Sequence, residues 1–180
     1  MKIKSYSTEA IVIKRSNLGE ADRVVTLLTA DQGKVVCIAK GVRNIKSSQR
    51  AILEPGNVIT AFLSITKSLP ILAQSRPIEN NSQARSSLSK IRQLSQVLEI
   101  FDQLFMEGDE DLVSYNQAKK IIQTIQTKEK SASQVRHQLR TLLMNMGFDD
   151  PNQSNHASIL DFVSEIAERK MKSFEYLRVN

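Results

Sequence analysis

"RVVTLLTADQGKVVCIAKG", residues 23–41, is the stretch that decides the fold of the first part of the chain. Two short runs rich in β-branched residues, 23–29 and 34–40, flank the four-residue link "ADQG". Such runs favour strands, and a short link that ends in glycine is typical of a hairpin with that glycine at positive φ. The stretch therefore predicts two antiparallel strands joined by a turn at Gly33.

Three more strand candidates surround this hairpin. "EAIVIKR" (9–15) alternates, "VITAFLSI" (58–65) follows the turn signal "EPGN", and "PILAQSRPI" (70–78) is broken by Pro77 as at a strand end. Five short strands in about 75 residues must pack as a small sandwich or close as a barrel to hide their edges. The segment 41–53 is long for a plain hairpin link, so we expect a short helix or an ordered loop there. In the first run the alternation predicts Ile11 and Ile13 on one face and Ala10, Val12 and Lys14 on the other.

After residue 80 the spacing of apolar residues changes to steps of three and four, which indicates helices. Four are predicted: one from about residue 84 to 105, ended by "EGDED" (107–111), one over 112–125, and two with capping signals. Ser131 and Gln134 fit a capping box before the third helix, and Gly147 fits its C-terminal stop. Ser158 and Asp161 fit a second capping box. The sequence predicts an α+β chain, with a five-stranded β-barrel in residues 1–78 and an all-helical domain in residues 82–180.

Net charge divides unevenly along the chain. Residues 1–79 carry 12 Lys/Arg and 6 Asp/Glu, whereas residues 80–180 carry 13 of each, so the whole excess of +6 lies in the first part. Such asymmetry is expected either of a polyanion-binding part or of a merely basic, soluble surface. Cys37 is the only cysteine, which excludes a disulfide framework and a cysteine zinc cluster. With no signal peptide or long apolar run in view, a cytoplasmic location is expected.

The stretch "CIAKGVRNIKSSQR", residues 37–50, looks at first like a phosphate-binding loop. A P-loop, however, needs a second glycine immediately before its lysine, and here Ile45 precedes Lys46, which falls one position early after Gly41. What remains is a run of cations without any acid from Gln32 to Leu53. Barrels with an open groove bind single strands through such cations, so the run predicts mainly electrostatic, salt-sensitive contact with a polynucleotide backbone. The alternative is a solvated loop.

The remaining candidates for chemistry are better explained by structure. Cys37 lies between apolar strand residues and is expected to be buried and inert, and Phe62 is expected to be core. His137 and His156 lack a second ligand at a metal spacing. Glu20 and Asp22 are expected to serve turn chemistry and a local pair with Arg23, and "EGDED" a solvated helix end. No catalytic residue, metal or cofactor is therefore predicted, and the chain is expected not to be an enzyme.

The ordered set "LGEADRVVTLLT" (18–29), "GKVVCIAKGVRNIKS" (33–47) and "LEP" (53–55) closely resembles the N-terminal domain of the bacterial recombination mediator family RecO. The helical part is similar more loosely, through 135–151 and through 159–177, which looks like the family's closing helix. The matching residues of the first part are Gly19, Glu20, Asp22, Thr29, Gly33, Lys34, Ala39, Lys40, Gly41, Arg43 and Ser47.

This resemblance implies an OB-fold barrel followed by a helical domain, and a role in DNA repair and recombination. It implies binding of single- and double-stranded DNA, strand annealing, and loading of recombinase onto single strands coated with single-strand-binding protein (SSB). The implied partners are RecR and the SSB C-terminal tail. The residues that the family would use for DNA map onto Lys34, Lys40, Arg43 and Lys46; Arg50 and Arg15 are added from charge alone.

The sequence departs from the family pattern in one place. Many members carry a four-cysteine zinc module after the Gly-aromatic-Pro segment, where this chain reads "NQSNHASIL" (152–160). A reduced helical domain without zinc is implied. Two rival functions stay open: an OB-fold module that binds RNA or acts in translation, and a phosphoryl-transfer enzyme.

Overall fold

The computed structural model describes residues 4–127 and 132–173. Five strands occupy the first 80 residues, as predicted: β1 Ser5–Leu18, β2 Asp22–Thr29, β3 Gly33–Ala39, β4 Val58–Ser64 and β5 Ile71–Glu79. They pair in the order β1-β2-β3-β5-β4, and β4 returns to β1, so the sheet closes into a barrel. All neighbours are antiparallel except β3 and β5, which meet in parallel at Ile38 and Ile71. This is the OB-fold-like arrangement that the sequence predicted.

Alternation along the strands fills the barrel interior. On each strand, every second residue points inward, and these positions carry small and branched apolar side chains that are buried almost completely. Closure also removes the exposed strand edges that a five-stranded sheet would otherwise present. The inner core consists of Ala10, Val12, Val25, Leu27, Cys37, Ala39, Val42, Leu53, Ile59, Ala61, Leu63 and Leu72.

A β-bulge interrupts the alternation of β1. The register steps from Val12 opposite Leu27 to Lys14 opposite Thr26, so Ile13 is an extra residue on β1. An extra residue reverses the facing of everything that follows it on the strand. The predicted grouping of Lys14 with Val12 on one face is therefore wrong: Val12 is buried in the core, and Lys14 is exposed.

The predicted short helix between β3 and β4 is confirmed as α1, Gln49–Ile52. The side chain of Gln49 fixes it to β5, because its Oε1 accepts from Ser75 N (3.0 Å) and its Nε2 donates to Ser75 O (3.3 Å). Asn57, only 3% exposed, donates from Nδ2 to the carbonyls of Ala51 and Ile52 at 3.1 Å each, which satisfies the open end of this short helix.

Four longer helices follow: α2 Leu88–Leu104, α3 Leu112–Thr127, α4 Ala132–Asn145 and α5 Ile159–Ile166. The predicted C-terminal stop of α4 is confirmed, since Gly147 has φ +88° and Phe148 N donates to Leu143 O at 3.0 Å. The Ser158 cap is also confirmed, with Asp161 N donating to its Oγ at 3.2 Å. Of the capping box predicted before α4, Ser131 lies outside the described residues.

The closing helix is shorter than the resemblance implied. The helix α5 ends at Ile166, and Glu168 takes φ +49°, so the described part of the predicted stretch 159–177 is not one continuous helix. A non-glycine residue in the left-handed region ends a right-handed helix. Phe174, an apolar residue of the stretch 159–177, lies outside the described residues.

Contacts divide the described chain into two compact units. The first comprises residues 4–80 together with Phe105–Leu112, and the second comprises Asn81–Leu104 and the residues from Val113 onward. The second unit buries one stripe of each of its four helices, including Phe101, Tyr115, Leu142 and Val163. The two domains predicted from the sequence, residues 1–78 and residues 82–180, stay a prediction. Composition did not foresee that Phe105–Leu112 groups with the strands.

Candidate nucleic-acid interface

The residues from the end of β3 to the first turn of α1, which we call the cationic loop (residues 40–50), form an ordered series of turns. Gly41 takes φ +65°, so the backbone reverses directly after β3. Asn44 N then donates to Gly41 O (3.2 Å), and Ser47 N donates to Asn44 O (2.9 Å). Consecutive backbone hydrogen bonds of this kind fix the conformation of the loop that carries the cations.

The β1–β2 turn anchors the cationic loop to the barrel. Asp22 Oδ1 accepts from Gly41 N at 2.8 Å, and Arg43 donates from its backbone N to Ala21 O at 2.9 Å. The Arg43 guanidinium also donates to Gly19 O. Val42, which lies between Gly41 and Arg43 in the sequence, is buried, with 1% of its surface exposed. A turn is present at residues 19–21, as predicted, but the Asp22 carboxylate bonds Gly41 N across the fold and not the turn, and it makes no hydrogen bond or ion pair with Arg23 in the described part of the chain. Asp22 holds the loop instead.

The structure brings five of the six predicted DNA-contact residues to one end of the barrel. Lys40, Lys46 and Arg50 are exposed on the cationic loop, and Arg43 is half-buried there. Arg15 reaches the same end from β1 and binds Glu54, with Nη1 to Oε1 at 2.5 Å. Whether these residues contact DNA stays a prediction. Cations that lie at one end of a fold in this way are what contact with a phosphate backbone requires.

Lys34 lies apart from the other five. It stands at the start of β3 and Lys40 follows the end of that strand, so six residues at about 3.3 Å each separate them by roughly 20 Å. At the Lys34 end the segment Phe105–Leu112 packs against the β2–β3 hairpin. Lys34 N donates to Met106 O (2.9 Å), and Gly108 N donates to Gln32 O (3.1 Å). Lys34 therefore belongs to a different surface of the first unit.

Sequence reasoning missed one basic residue at the barrel end, Arg23. It is 8% exposed, and its partner across the ladder is Ala39 of the inner core. Burial, followed by the charge of Arg15, lowers the pKa of Arg23 from its ordinary value, and Glu54 acts in the opposite direction. The strand pattern could have identified it, because residues two apart on a strand share a face, and Arg23 therefore lies on the same face as Val25 and Leu27.

The outer wall of the barrel carries an aromatic residue that was expected in the core. Phe62 lies between the core residues Ala61 and Leu63 on β4, so it faces outward, and it is only partly buried. The Arg76 guanidinium of β5 lies 5.2 Å from the centre of its ring. The prediction that Phe62 belongs to the core is therefore wrong, because the residues on either side of it face inward. Phe62 and Arg76 form a cation–π contact on the surface of the barrel.

Cys37 is buried, as predicted. It is 0% exposed within the core, and burial raises the pKa of its thiol to about 12. Across residues 4–127 and 132–173, no three His, Cys, Asp or Glu side chains cluster as metal ligands. In the same ranges, no helix combines the length and the hydropathy that a membrane crossing requires.

Comparison with known proteins places this interface in context. Residues 1–81 match the family described as "Recombination protein O N terminal". A DNA repair protein RecO of Roseiflexus sp. is 35% identical over 111 residues, which is 62% of this chain and 39% of that protein. One from Bifidobacterium adolescentis is 42% identical over 73 residues, which is 41% of this chain and 30% of the relative. The chain thus matches well under half the length of these relatives.

Proposed function

We propose that the first part of this chain, whose residues 1–81 match the family described as "Recombination protein O N terminal", binds the phosphate backbone of DNA during repair and recombination. The observation that carries the proposal is the cationic loop: Lys40, Arg43, Lys46 and Arg50 stand on an ordered loop with no acid among them. Phosphate contacts need such cations at fixed positions and give affinity without sequence specificity. No step in this function requires a catalytic residue or a bound nucleotide.

A salt titration of single-stranded DNA binding tests the proposal. We compare wild type with the triple variant Lys40→Ala/Arg43→Ala/Lys46→Ala and plot the logarithm of affinity against that of salt concentration. Each phosphate contact contributes roughly 0.7 to the slope for single strands, so we expect weaker binding and a slope smaller by about 2.

The matched control removes the same charge from the helical unit, through Lys120→Ala/Arg136→Ala/Arg169→Ala, three exposed cations. This control should keep the wild-type slope. An unchanged slope in the loop variant, with its thermal melt intact, would remove the cationic loop from the DNA site.

The finer parts of the proposal are supported by the match to that family alone. They comprise annealing of complementary strands, help in loading recombinase onto SSB-coated DNA, contact with RecR and the SSB tail, and action in the cytoplasm at the nucleoid. Annealing is measured with complementary labelled oligonucleotides, and SSB contact with the isolated tail peptide. Tight preference for structured RNA in direct competition, or magnesium-dependent hydrolysis of nucleotide, would instead favour the two rival functions.

A further inference from the structure

Arg23 is a buried cation at the end of the barrel interior. Residues two apart on a strand share a face, so Arg23 points to the same side as the core residue Val25. Its ladder partner Ala39 is also part of the inner core. Arg23 is 8% exposed, and it lies beside apolar core residues on β2 and β3, while its partner on β1 is the exposed Asn17.

The β1 bulge brings a second guanidinium to the same place. Opposed residues of an antiparallel ladder point to the same face, and Arg15 lies opposite Val25. If Ile13 were paired regularly with β2 instead of being bulged out, the alternation that places Val12 inward would turn Arg15 outward. We call the barrel end lined by Arg15, Arg23 and Ala39 the arginine end. Two guanidiniums therefore converge there because of one inserted residue.

The hydrogen-bonding capacity of Arg23 is largely unused within the protein. Its Nε and Nη1 are buried and have no acceptor among the described residues. The acid that influences it, Glu54, is held by Arg15. Three other arginines, Arg15, Arg50 and Arg43, lower its pKa after burial itself, so their positive charges add at this point. A buried, unpaired charge of this kind destabilises a fold unless an anion accepts from it.

We propose that the arginine end is a discrete site for one backbone phosphate of a bound nucleic acid, with Arg23 at its floor. A guanidinium offers several planar N–H donors to phosphate oxygens, and here Nε and Nη1, which lie on different edges of the group, both lack an acceptor among the described residues. Arg15 exchanges its Glu54 carboxylate for the phosphate as the strand arrives. The inference rests on the proposed function, and it adds to the exposed loop a single desolvated anchor.

Phosphate is favoured over other anions by what surrounds the site. The adjoining surface is the cationic loop, whose Lys40, Lys46 and Arg50 are exposed and would meet the neighbouring phosphates of the same strand. A single carboxylate, such as a peptide side chain, would leave those cations without a role. Glu54 already shows that an anion fits against Arg15 at 2.5 Å.

The first test measures thermal stability in inorganic phosphate and in chloride at equal ionic strength. Phosphate should raise the melting temperature of wild type, because a ligand that binds only the folded state stabilises it. Arg23→Met fills the same space without a charge to desolvate, so it should melt higher than wild type in chloride and gain nothing from phosphate. Arg76→Met, on the outer wall, is the matched control and should keep the phosphate effect.

The same phosphate-dependent rise in Arg23→Met as in wild type would overturn the site. If Arg23→Met does not fold, Arg23→Lys serves in its place. It keeps the charge but not the planar fork, and it should lose most of the phosphate effect; full retention would overturn the site equally.

The second test measures affinity for a single-stranded oligonucleotide. Hydrogen bonds to charged groups predict about a tenfold loss in Arg23→Met, and Glu54→Gln should bind a few-fold more tightly because Arg15 is released. If the loop triple variant weakens binding while Arg23→Met does not, this inference fails and the proposed function stands. If the loop variant keeps its salt slope while Arg23→Met loses tenfold, the cationic loop fails and the arginine end stands.

Discussion

Gly33 shows at the scale of one residue how closely the first unit is assembled. It takes φ +61°, and a Cβ built there would lie 2.5 Å from Met106 O and 2.7 Å from Asp109 O. Both the backbone conformation and the available space therefore demand glycine. The sequence predicted the positive φ from the hairpin link, but it gave no sign of the second chain segment that fills the space.

Gly33→Ala should be much more destabilising than Gly19→Ala. Both glycines have positive φ, at +61° and +57°, but an alanine Cβ at Gly19 would meet nothing within 4 Å. Gly19→Ala should cost about 1 kcal/mol for the left-handed backbone. Gly33→Ala should cost about 1–3 kcal/mol more, because Met106 and Asp109 must move. Urea unfolding measures the difference, and equal losses would show that the segment Phe105–Leu112 yields freely.

The Cys37 thiol should resist modification in the folded protein. Burial raises its pKa to about 12, so at pH 8 only about one thiol in ten thousand is ionised, and the side chain is 0% exposed. A thiol reagent at pH 8 should react only as fast as the protein opens, and at once in denaturant. Ser48→Cys, at an exposed position, is the control and should add one fast-reacting thiol. Fast labelling of wild type would contradict the buried placement.

Elements differ in how far the sequence specifies them. The alternation of β2 and β3 and the glycine stop of α4 follow from local rules, and these were predicted. The bulge in β1 was not, because Ile13 has the same apolar character as its neighbours and only the pairing with β2 makes it the extra residue. That one insertion determines the facing of Arg15, so the arginine end could not be predicted from alternation along β1 alone.

At the C-terminal side of α4, an ion pair fixes the following turn. Arg140 Nε donates to Asp150 Oδ1 at 2.6 Å, a second bond joins Nη2 to Oδ2, and Asp150 also accepts from Asn152 N at 3.0 Å. The hydrogen bond from Arg140 lowers the pKa of Asp150 below its ordinary value. A carboxyl with a lowered pKa stabilises the fold above its unfolded pKa and loses this contribution as pH falls through the folded value.

Asp150→Asn should therefore lower the free energy of unfolding at pH 7. The difference in that free energy between the variant and wild type should become smaller in acid. The wild-type advantage should decline below about pH 4, where the carboxyl becomes protonated. Urea midpoints between pH 7 and pH 2 measure this, with Asp149→Asn, an exposed neighbour, as control. A constant difference between Asp150→Asn and wild type across that range would mean that the charge of Asp150 contributes nothing.

Over the whole molecule, charge and fold divide the chain in similar places. The excess of positive charge lies in residues 1–79, which form the strands, whereas the helical part is balanced. Composition was enough to predict the change from strands to helices near residue 80. It could not predict that Lys34 and Lys40 lie at opposite ends of β3. Two cations that are close in the sequence can still be separated by the full length of a strand.

Hydrogen exchange should show which part of the chain contacts DNA. On addition of a single-stranded oligonucleotide, amides of residues 38–50 should exchange more slowly, because bound phosphates reduce opening of the cationic loop. Amides of α3 and α4 should exchange at unchanged rates. Protection confined to those helices would place the contact on the second unit and contradict the proposed interface.

The return of Phe105–Leu112 to the β2–β3 hairpin has a consequence for synthesis of the chain. The residues of all five strands have been synthesised once residue 79 has been added, yet the hydrogen bonds between Lys34 N and Met106 O and between Gly108 N and Gln32 O can form only after residues 106 and 108 follow. The nascent first unit must wait through the synthesis of α2 before its last backbone bonds can form. Translation order thus leaves a short period in which one hairpin end is open, and a ribosome that pauses between residues 80 and 105 would prolong it.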